Sequence, residues 1–326
     1  MADITIVGAG VAGLWAAWEA RKAGLTPRLI DRHGLPGPHG CSWWAGGMLA
    51  PYCEGALSEP PVIAHGKAAA SAWAEVTEVT HRGSLVVTLK RDRAELSRFA
   101  QRTTNHRLIT HELAALEPDL THANQALFFE EEAHLDPRMA LADLTRALLA
   151  QGVTIEQAEV TPQALSGPVI DARGLAAGLA GLRGVRGEMV VLRSHEIQLS
   201  RPVRLLHPRY PLYIVPRAEG LFMLGATQIE STNKHGISVR SALELLSAAY
   251  ALDPRFGEAE LVETGADLRP AFADHVPRVV VKGNVVHLNG LFRHGYLLAP
   301  ALAKQAIQFL TQGIQGDLVY EDSGER

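Results

Sequence analysis

The chain has 326 residues, of which 47% are hydrophobic and 20% charged, and its formal net charge is −4. With no basic block, this charge pattern excludes recruitment by nucleic acid or anionic lipid. No apolar run reaches the roughly 18–20 residues of a membrane span, and the first residues lack the pattern of a secretory signal, so we expect a cytoplasmic protein.

The opening of the chain predicts a strand–helix–strand unit. Residues 3–7 have a strand pattern, residues 11–23 form an alanine-rich helix that stops at Gly24, and residues 27–30 form a second strand. Glycine commonly ends a helix, and a complete unit of this kind fits within about 30 residues. Residues 32–40 are rich in glycine and proline and are expected to form a loop.

The rest of the chain mixes helices with strands and has no obvious linker. Helices are predicted for residues 62–80, 92–103, 137–149, 238–252 and 295–311. Strands are predicted for residues 84–90, 126–131, 168–171, 261–264, 279–281 and 285–288, with several more between 188 and 227. The order predicts an α/β fold, in which a Rossmann-like domain is interleaved in sequence with a mixed, antiparallel-sheet domain.

A glycine fingerprint lies between the first strand and the first helix. Gly8 suits a tight turn, Gly10 suits close approach of the backbone to a pyrophosphate, and Gly13 suits close helix–strand contact. The helix N-terminus offers free N–H groups to that anion. Asp31 follows the second strand, where a carboxylate can accept hydrogen bonds from a ribose. The pattern predicts a dinucleotide site but does not separate FAD from NAD.

The segment CSWWAGGMLAP, residues 41–51, has two interpretations. Its small residues serve either only for packing at a loop–helix junction, or to form a backbone surface against a flat ring, with Ser42 bonding phosphate or ribose. The sequence also offers no site for a metal, because its 14 histidines are scattered and no Cys/His pattern occurs at ligand spacing. Cys41 and Cys53 are expected to be reduced thiols.

Four segments together resemble one enzyme family. They are GAGVAG, CSWWAGGMLAP, VIDARG and GLFRHGYLLAP, and they are similar to the D-amino acid oxidase and glycine oxidase family, most closely to the glycine oxidases of thiamine biosynthesis. The resemblance implies noncovalent FAD and a discontinuous FAD-binding domain. The implied limits are residues 1–60, 136–182 and 265–326 for that domain, and residues 61–135 and 183–264 for the substrate domain.

The fingerprint and the resemblance also imply which residues bind the cofactor. The predicted set is Gly8, Gly10, Gly13, Asp31, Arg32, Ser42, Gly46, Gly47, Met48, Leu49, Val160, Arg293, His294, Gly295, Tyr296 and Leu297. Within it, residues 291–296 at the start of the last helix would supply backbone N–H groups and a positive dipole end to the flavin pyrimidine edge. The adenine contacts around Val160 are left open, because the chain is short between that residue and the strand at 168.

Three residues are the candidates for catalysis. Arg269 stands in a G-x-x-R-P-like element that resembles the carboxylate-binding arginine of the family; on sequence alone it could be an ordinary surface arginine. Tyr213 lies on a strand that resembles the tyrosine-bearing strand, with core packing as its other interpretation and Tyr210 as a weaker alternative. Arg293 precedes the last helix. His294 is not assigned as a base. The resemblance implies hydride transfer from Cα to flavin N5 with a substrate amine that arrives neutral, so no dedicated base is needed.

The sequence therefore predicts an oxidase that converts a small amino acid, in first place glycine, to an imine and glyoxylate, with oxygen forming hydrogen peroxide. Two alternatives stay open: a dehydrogenase or oxidase of D-amino acids or sarcosine with another electron acceptor, and a subunit whose FAD is only structural. The expected partners are the amino acid and oxygen, with a homo-oligomer left open. Crowding by Trp43, Trp44, Met48 and Leu49 beside the flavin is expected to favour small substrates.

Overall fold

The computed structural model describes residues 3–89, 92–206 and 212–321. The strands are β1 (Ile4–Val7), β2 (Pro27–Asp31), β3 (Met48–Leu49), β4 (Ser84–Thr88), β5 (Arg107–Ile109), β6 (Ala126–Phe129), β7 (Ala133–His134), β8 (Thr154–Gln157), β9 (Val169–Asp171), β10 (Arg183–Arg193), β11 (Val203–Leu206), β12 (Leu212–Pro216), β13 (Leu221–Gly225), β14 (Ile229–Glu230), β15 (Glu260–Ala271), β16 (Arg278–Lys282), β17 (Val285–Asn289) and β18 (Val319–Glu321). The helices are α1 (Val11–Lys22), α2 (Pro51–Glu54), α3 (Pro60–Gly66), α4 (Ala69–Ala74), α5 (Arg93–Arg102), α6 (Leu113–Leu116), α7 (Pro137–Ala150), α8 (Val239–Leu252) and α9 (Gly295–Gln312).

The first sheet carries the glycine fingerprint. Its strand order is β18-β16-β17-β9-β1-β2-β8, and β1 pairs in parallel with both β2 and β9. Helices α1, α7 and α9 cover it and contribute Leu14, Leu144 and Leu302 to one continuous core. A parallel strand that is covered on its faces needs an apolar run, which explains the ITIV sequence of β1.

The second sheet is mainly antiparallel and is built from the middle of the chain. Its order is β14-β10-β13-β12-β11-β4-β6-β5, and β15 pairs along the other edge of β10. Helix α8 packs on it, with Leu245 and Leu252 in the second core. Because β4 to β6 precede β8 and β9 in the chain, the two sheets are interleaved in sequence. This arrangement confirms the predicted fold class.

Several predicted elements differ from the structure. The single helix predicted for residues 62–80 is wrong, since α3 ends at Gly66 and α4 ends at Ala74. At Gly66 a Cβ atom would lie 2.9 Å from Leu297 Cγ, so a glycine permits the close approach of α3 to α9. The short strand predicted for residues 261–264 is the start of the much longer β15, and β8 was not predicted at all. Lys90, the predicted end of β4, lies outside the described residues.

The domain limits stay a prediction, and the packing bears on them at two places. The proposed limit between residues 264 and 265 falls inside β15, so Arg269 lies on the second sheet. Helices α3 and α4, assigned by sequence to the substrate domain, bury Val62 and Trp73 in the core of the first sheet. In the described part of the chain, no helix is both long enough and apolar enough to cross a membrane.

Candidate active site

A cavity of about 510 Å³ lies between the two sheets. Its wall combines the turn after β1, the N-terminal ends of α1 and α9, the segment from Cys41 to Met48, and residues of β12 and β15. Apart from Gly13 and Leu49, every residue of the predicted site lines this wall. The fold thus brings together residues that are as much as 289 positions apart, from Gly8 to Leu297.

The glycine turn depends on the absence of side chains. Gly8 has φ +106°, and a Cβ atom there would lie 2.6 Å from the carbonyl oxygen of Ala172. A Cβ atom on Gly13 would lie 1.8 Å from the carbonyl oxygen of Gly8, so Gly13 packs the helix onto the turn and faces away from the cavity. A Cβ atom on Gly10, by contrast, would lie 3.3 Å from Ser42 Oγ, which is the end of a side chain and not backbone. A side chain at Gly10 would therefore occupy space at the cavity wall.

Two polar side chains fix this end of the cavity. Asp31 accepts hydrogen bonds from the N–H groups of Ala9, at 2.9 Å, and His33, at 2.7 Å, and so ties the ends of β1 and β2 together. Ser42 Oγ accepts a hydrogen bond from the N–H of Val11 at 3.1 Å, which caps the start of α1. The Ser42 side chain is thus engaged with the helix that carries the fingerprint.

The cavity wall also includes Arg32, Val160 and Arg173. Val160 also packs against Val7 and Val169. The Arg173 guanidinium donates to Asp171 with its Nε at 2.9 Å and its Nη2 at 2.8 Å, so its orientation is fixed. Arg173 was not among the site residues predicted from the sequence, although it lies in the VIDARG segment.

The start of α9 is the second helix terminus at the cavity. Phe292 has φ +45°, and its N–H donates to the carbonyl of Pro270 at 2.9 Å, which turns the chain into the helix. Within residues 3–89, 92–206 and 212–321, no side chain caps the start of α9. Among the residues that the structure describes, the N–H groups of Gly295, Tyr296 and Leu297 have no acceptor. An acceptor in the cavity would therefore meet free donors and the positive end of the helix dipole.

Tyr296 contributes to this wall through its backbone. Its hydroxyl donates to the carbonyls of Ser42, at 2.9 Å, and Pro137, at 3.1 Å. Its ring stacks on Trp73, whose indole N–H donates to the Tyr296 carbonyl at 2.7 Å. The side chain holds α9 against the segment at Ser42 instead of facing the cavity.

The segment after Ser42 passes under the middle of the cavity. Gly47 has φ +75°, and a Cβ atom there would lie 2.2 Å from the carbonyl of Leu135, so only glycine fits. Met48 lines the cavity, whereas Leu49 is 2% exposed, in the core, because successive residues of β3 point to opposite sides.

Both tryptophans of this segment line the cavity. The Arg138 guanidinium lies 4.8 Å from the ring centre of Trp43 and 5.4 Å from that of Trp44. Trp44 also covers Gly265, where a Cβ atom would lie 2.1 Å from its ring. Neighbouring residues can share one wall here because they form a 3₁₀ turn, Cys41–Trp44, and not a strand.

Arg269 extends from β15 into the cavity as a buried cation. Its Nη2 donates to the carbonyl of Thr227 at 2.5 Å, while its Nε has no acceptor in the described part of the chain. Gly187 makes room for it, since a Cβ atom there would lie 2.6 Å from Arg269 Cζ. Phe292 packs against the guanidinium, with 5.2 Å between Cζ and the ring centre. Burial lowers the pKa of Arg269.

No carboxylate of residues 3–89, 92–206 or 212–321 lies within 4.0 Å of the Arg269 guanidinium, although most buried arginines of this protein have such a partner. A buried cation without a counter-ion is costly unless a ligand supplies one. Arg269 is therefore suited to bind a ligand carboxylate.

Tyr213 lies on β12 beside Arg269. Its ring packs on Gly46, where a Cβ atom would lie 3.0 Å from Cε2. Burial raises the pKa of the Tyr213 phenol, so the hydroxyl stays protonated and can donate. The alternative tyrosine, Tyr210, lies outside the described residues.

Arg293 lies at the same end of the cavity and is paired. Its Nη2 is 2.8 Å from Glu54 Oε2, and its Nε donates to His294 Nε2 at 3.2 Å. His294 Nε2 is also 3.0 Å from Glu54 Oε2 and 3.2 Å from Ser58 Oγ. Burial opposes ionisation of Glu54, but Arg293 and then His294 and Arg204 hold the pKa of its carboxyl well below its usual range. Glu54 and Arg204 were missed by sequence analysis, because neither stands in a motif that indicates a ligand.

The cavity fits FAD by its chemistry. One end offers a glycine turn without side chains and a helix N-terminus for a pyrophosphate, with Asp31 beside it for a ribose. The start of α9 offers three free N–H groups for an electron-rich ring edge. The fold and site define the class: a flavoprotein with two sheets, whose cavity is lined at one end by a buried arginine that could bind a carboxylate.

Comparison with known proteins agrees with this class. A family model described as FAD dependent oxidoreductase matches residues 3–308. The chain belongs to this family, and it is an FAD-dependent oxidoreductase.

Three relatives show how far the similarity extends. The chain is 49% identical over 319 residues to a Rhizobium etli protein named "Putative thiamine biosynthesis oxidoreductase ThiO", covering 94% of this chain and 96% of that one. It is 28% identical over 346 residues to a glycine oxidase of Pseudomonas aeruginosa, covering 91% and 92%. The crystal structure of glycine oxidase from Bacillus cereus superposes with a TM-score of 0.83 at 20% identity, covering 98% and 99%.

Proposed function

We propose that this enzyme oxidises the bond between the α-carbon and the nitrogen of a small amino acid, in first place glycine. The observation that carries the proposal is the buried Arg269 guanidinium, which faces the cavity without a carboxylate partner among the described residues. A guanidinium binds a carboxylate through two parallel hydrogen bonds, which fixes both the position and the orientation of the ligand.

The neighbours of Arg269 support an amino acid of small size. Tyr213 offers a second donor for the same carboxylate and packs against the cluster that contains Met189, and both Met48 and Met189 line the cavity. In a wall of large side chains, one additional methylene typically costs about 1–3 kcal/mol, which is enough to favour glycine over longer amino acids. The names of the two sequence relatives support the same substrate and a role in thiamine biosynthesis.

The residues at the substrate end bind and orient, and none is needed as a base. A bound FAD would supply the acceptor for the hydride of Cα, and oxygen would be the final electron acceptor, which would give hydrogen peroxide. Arg269 and Tyr213 would hold the carboxylate so that Cα faces the cofactor. The Nε2 atom of His294 is engaged with Glu54, Arg293 and Ser58, while its Nδ1 has no partner among the described residues. Hydride transfer from a neutral amine requires no proton to be taken by His294. An imine released to water hydrolyses to glyoxylate and ammonia, and thiazole synthesis could use it instead.

The experiment is a substrate panel under air with the purified enzyme. Hydrogen peroxide and glyoxylate are measured with glycine, sarcosine, D-alanine and D-leucine, and kcat/KM is compared. We expect glycine or sarcosine to be preferred. A preference for D-leucine would contradict the small substrate, and reduction of the flavin by glycine without peroxide would assign the electrons to another acceptor.

A second measurement concerns how the cofactor is bound. We expect acid or denaturant to release the yellow colour from the protein as FAD. Colour that remains with the precipitated protein would show a covalent bond and would contradict noncovalent binding.

A further inference from the structure

The substrate end of the cavity holds two arginines in addition to Arg269. Arg204 extends from β11 and is 5% exposed, and the Arg293 side chain is 12% exposed. Both line the cavity, and both lie close enough to Tyr213 to influence its ionisation, as does Arg269. Three guanidinium groups therefore lie at the same end of the cavity.

One carboxylate of the chain lies between the two additional arginines. Glu54, at the end of α2, has Oε2 2.8 Å from Arg293 Nη2 and Oε1 3.5 Å from Arg204 Nη1. Ser58 Oγ donates to the same carboxylate at 3.4 Å. The Glu54 side chain is 18% exposed and forms part of the cavity wall. It thus faces the space in which a ligand would lie.

The contacts of Arg204 show that Glu54 does not use all the hydrogen-bond donors of Arg204 and Arg293. Its Nη1 reaches only Cys53 Sγ and Glu54 Oε1, both at 3.5 Å, and its Nε has no acceptor among the residues described. Phe99 covers it, with 5.3 Å between Cζ and the ring centre. If Glu54 were absent, a ligand carboxylate could therefore accept hydrogen bonds from Arg204 and Arg293 with better geometry.

The two anion positions of the cavity thus differ in one respect. At Arg269 none of the described residues supplies a carboxylate, whereas at Arg204 and Arg293 Glu54 supplies one. We propose that Glu54 is a specificity-determining residue: its carboxylate occupies an anion subsite formed by Arg204 and Arg293 and restricts the cavity to ligands that carry one carboxylate. This inference rests on the proposed binding of the substrate carboxylate by Arg269.

The physical reason is repulsion between like charges. A ligand with two carboxylates that bound Arg269 with one of them would bring the other towards Glu54, and juxtaposed like charges inside a binding site are strongly unfavourable. Glycine carries no second anionic group and avoids this contact. Removal of the Glu54 carboxylate should end this repulsion and leave the guanidinium groups of Arg204 and Arg293 available to a ligand carboxylate.

The test compares acetate with malonate as ligands of the FAD-loaded enzyme at neutral pH, where both malonate carboxylates are ionised. Dissociation constants are measured by calorimetry and by the change in flavin absorbance, so turnover is not required. We expect the wild-type enzyme to bind acetate in preference to malonate. In Glu54→Ala the Kd of malonate should fall about tenfold or more, the size expected for charge-assisted hydrogen bonds, while that of acetate changes much less.

Three further variants sharpen this test. Glu54→Gln removes the charge with little change of shape and should move the malonate preference in the same direction. Glu131→Ala removes an exposed carboxylate, bonded to the Tyr52 hydroxyl and outside the cavity wall, and should leave the preference unchanged. Adding Arg204→Met to Glu54→Ala should abolish the gain for malonate, since one of the two guanidiniums is then missing.

The outcomes separate this inference from the proposed function. An unchanged ratio of the two dissociation constants in both Glu54 variants, with acetate still bound, would overturn the role of Glu54 alone. A malonate gain that survives Arg204→Met would also overturn it, because the second carboxylate would then lie elsewhere. Failure of the wild-type enzyme to bind acetate at all would contradict both the inference and the proposed carboxylate site.

Discussion

The two ends of the cavity differ in which parts of the protein form them, namely backbone at one end and charged side chains at the other. The cofactor end consists mainly of backbone: the glycine turn after β1, the first turn of α1 and the first turn of α9. The substrate end consists of charged side chains that come from four separate elements or turns, namely Glu54, Arg204, Arg269 and Arg293. A backbone surface is set by a short stretch of sequence and tolerates few side chains, whereas a cluster of side chains can be altered one charge at a time. Mutations at the two ends should therefore fail in different ways.

The largest effect is expected at Gly13, where helix and turn touch. In Gly13→Val the new Cβ atom would overlap the carbonyl of Gly8, which is backbone and cannot rotate away. Overpacking that the backbone must absorb costs about 3 kcal/mol or more. We expect little folded protein, a lower Tm and loss of bound FAD, measured as the ratio of flavin to protein. Gly236→Ala is the control, because a Cβ atom there lies within 4 Å of no atom in the described part of the chain.

If Gly13→Val kept both its Tm and its flavin, the close contact between α1 and the turn would not be needed. The comparison between the two ends would then lose its first half, since the backbone end would prove as tolerant as the side-chain end.

Arg269→Ala should separate catalysis from folding at the other end. Loss of the bidentate partner should lower kcat/KM for glycine. The lost transition-state stabilisation should be about 3–5 kcal/mol, because the substrate carboxylate is left unpaired in a closed site. FAD should stay bound. Arg269→Lys should recover little, since an ammonium group cannot make the forked contact.

Steady-state kinetics and the flavin-to-protein ratio check this expectation together. Activity close to that of the wild type in Arg269→Ala would place the carboxylate site elsewhere. Loss of flavin in the same variant would show that the two ends are not independent.

The same contrast explains what could be predicted from the sequence. Gly8, Gly10 and Asp31 stand in a spacing that has a direct backbone meaning, so the dinucleotide site followed from the residues alone. The family resemblance added the start of α9 and Arg269. Nothing in the sequence pointed to Glu54 or Arg204, because a pair formed across 150 positions leaves no local pattern.

The fold shows a similar division. The strands around the fingerprint follow from apolar runs, and the fold class was predicted correctly. The strand β8 was missed because its sequence, TIEQ, is polar and none of its residues is buried, as befits the edge of a sheet. The break between α3 and α4 was missed because it depends on the contact of Gly66 with Leu297, which is tertiary.

A buried acid behind the substrate end gives a prediction that depends on pH. Glu132 is 1% exposed and accepts hydrogen bonds from the N–H of Cys53, at 2.6 Å, and from the hydroxyl of Ser84. Burial raises the pKa of its carboxyl to about 8. The folded state therefore keeps the proton that the unfolded chain loses near its ordinary value of 4.5.

The raised pKa gives the sign of the effect. The contribution of Glu132 to stability is fully present below pH 4.5 and is lost as the pH rises towards about 8. The Glu132→Gln variant has no carboxyl group to ionise at this position. The difference between its free energy of unfolding and that of the wild type should therefore rise across this interval and then level off. The expected rise is roughly 2–3 kcal/mol, a value reduced to allow for relaxation of the solvent around the buried charge. Urea unfolding of both proteins across this pH range measures it. A constant difference would show that Glu132 is ionised in the folded protein.

The smallest effect is expected at Ser42, whose side chain caps the start of α1. Its Oγ accepts from the N–H of Val11, while its carbonyl accepts from the hydroxyl of Tyr296. Ser42→Ala removes only the first of these contacts, so the segment should stay in place. Loss of a cap at a helix start costs about 1 kcal/mol.

We therefore expect a slightly lower Tm for Ser42→Ala and a Kd for FAD that is raised only a few-fold, which corresponds to roughly 1 kcal/mol or less. The backbone N–H groups of α1 remain available to the pyrophosphate, and the freed N–H of Val11 adds one more donor to them. Fluorescence titration of the apoprotein with FAD gives the affinity, and Ser58→Ala is a matched control, since Ser58 contacts Glu54 and His294 at the substrate end. If Ser42→Ala lost FAD as completely as Gly13→Val, the cofactor end would depend on a side chain as strongly as the substrate end does, and the contrast drawn between them would not hold.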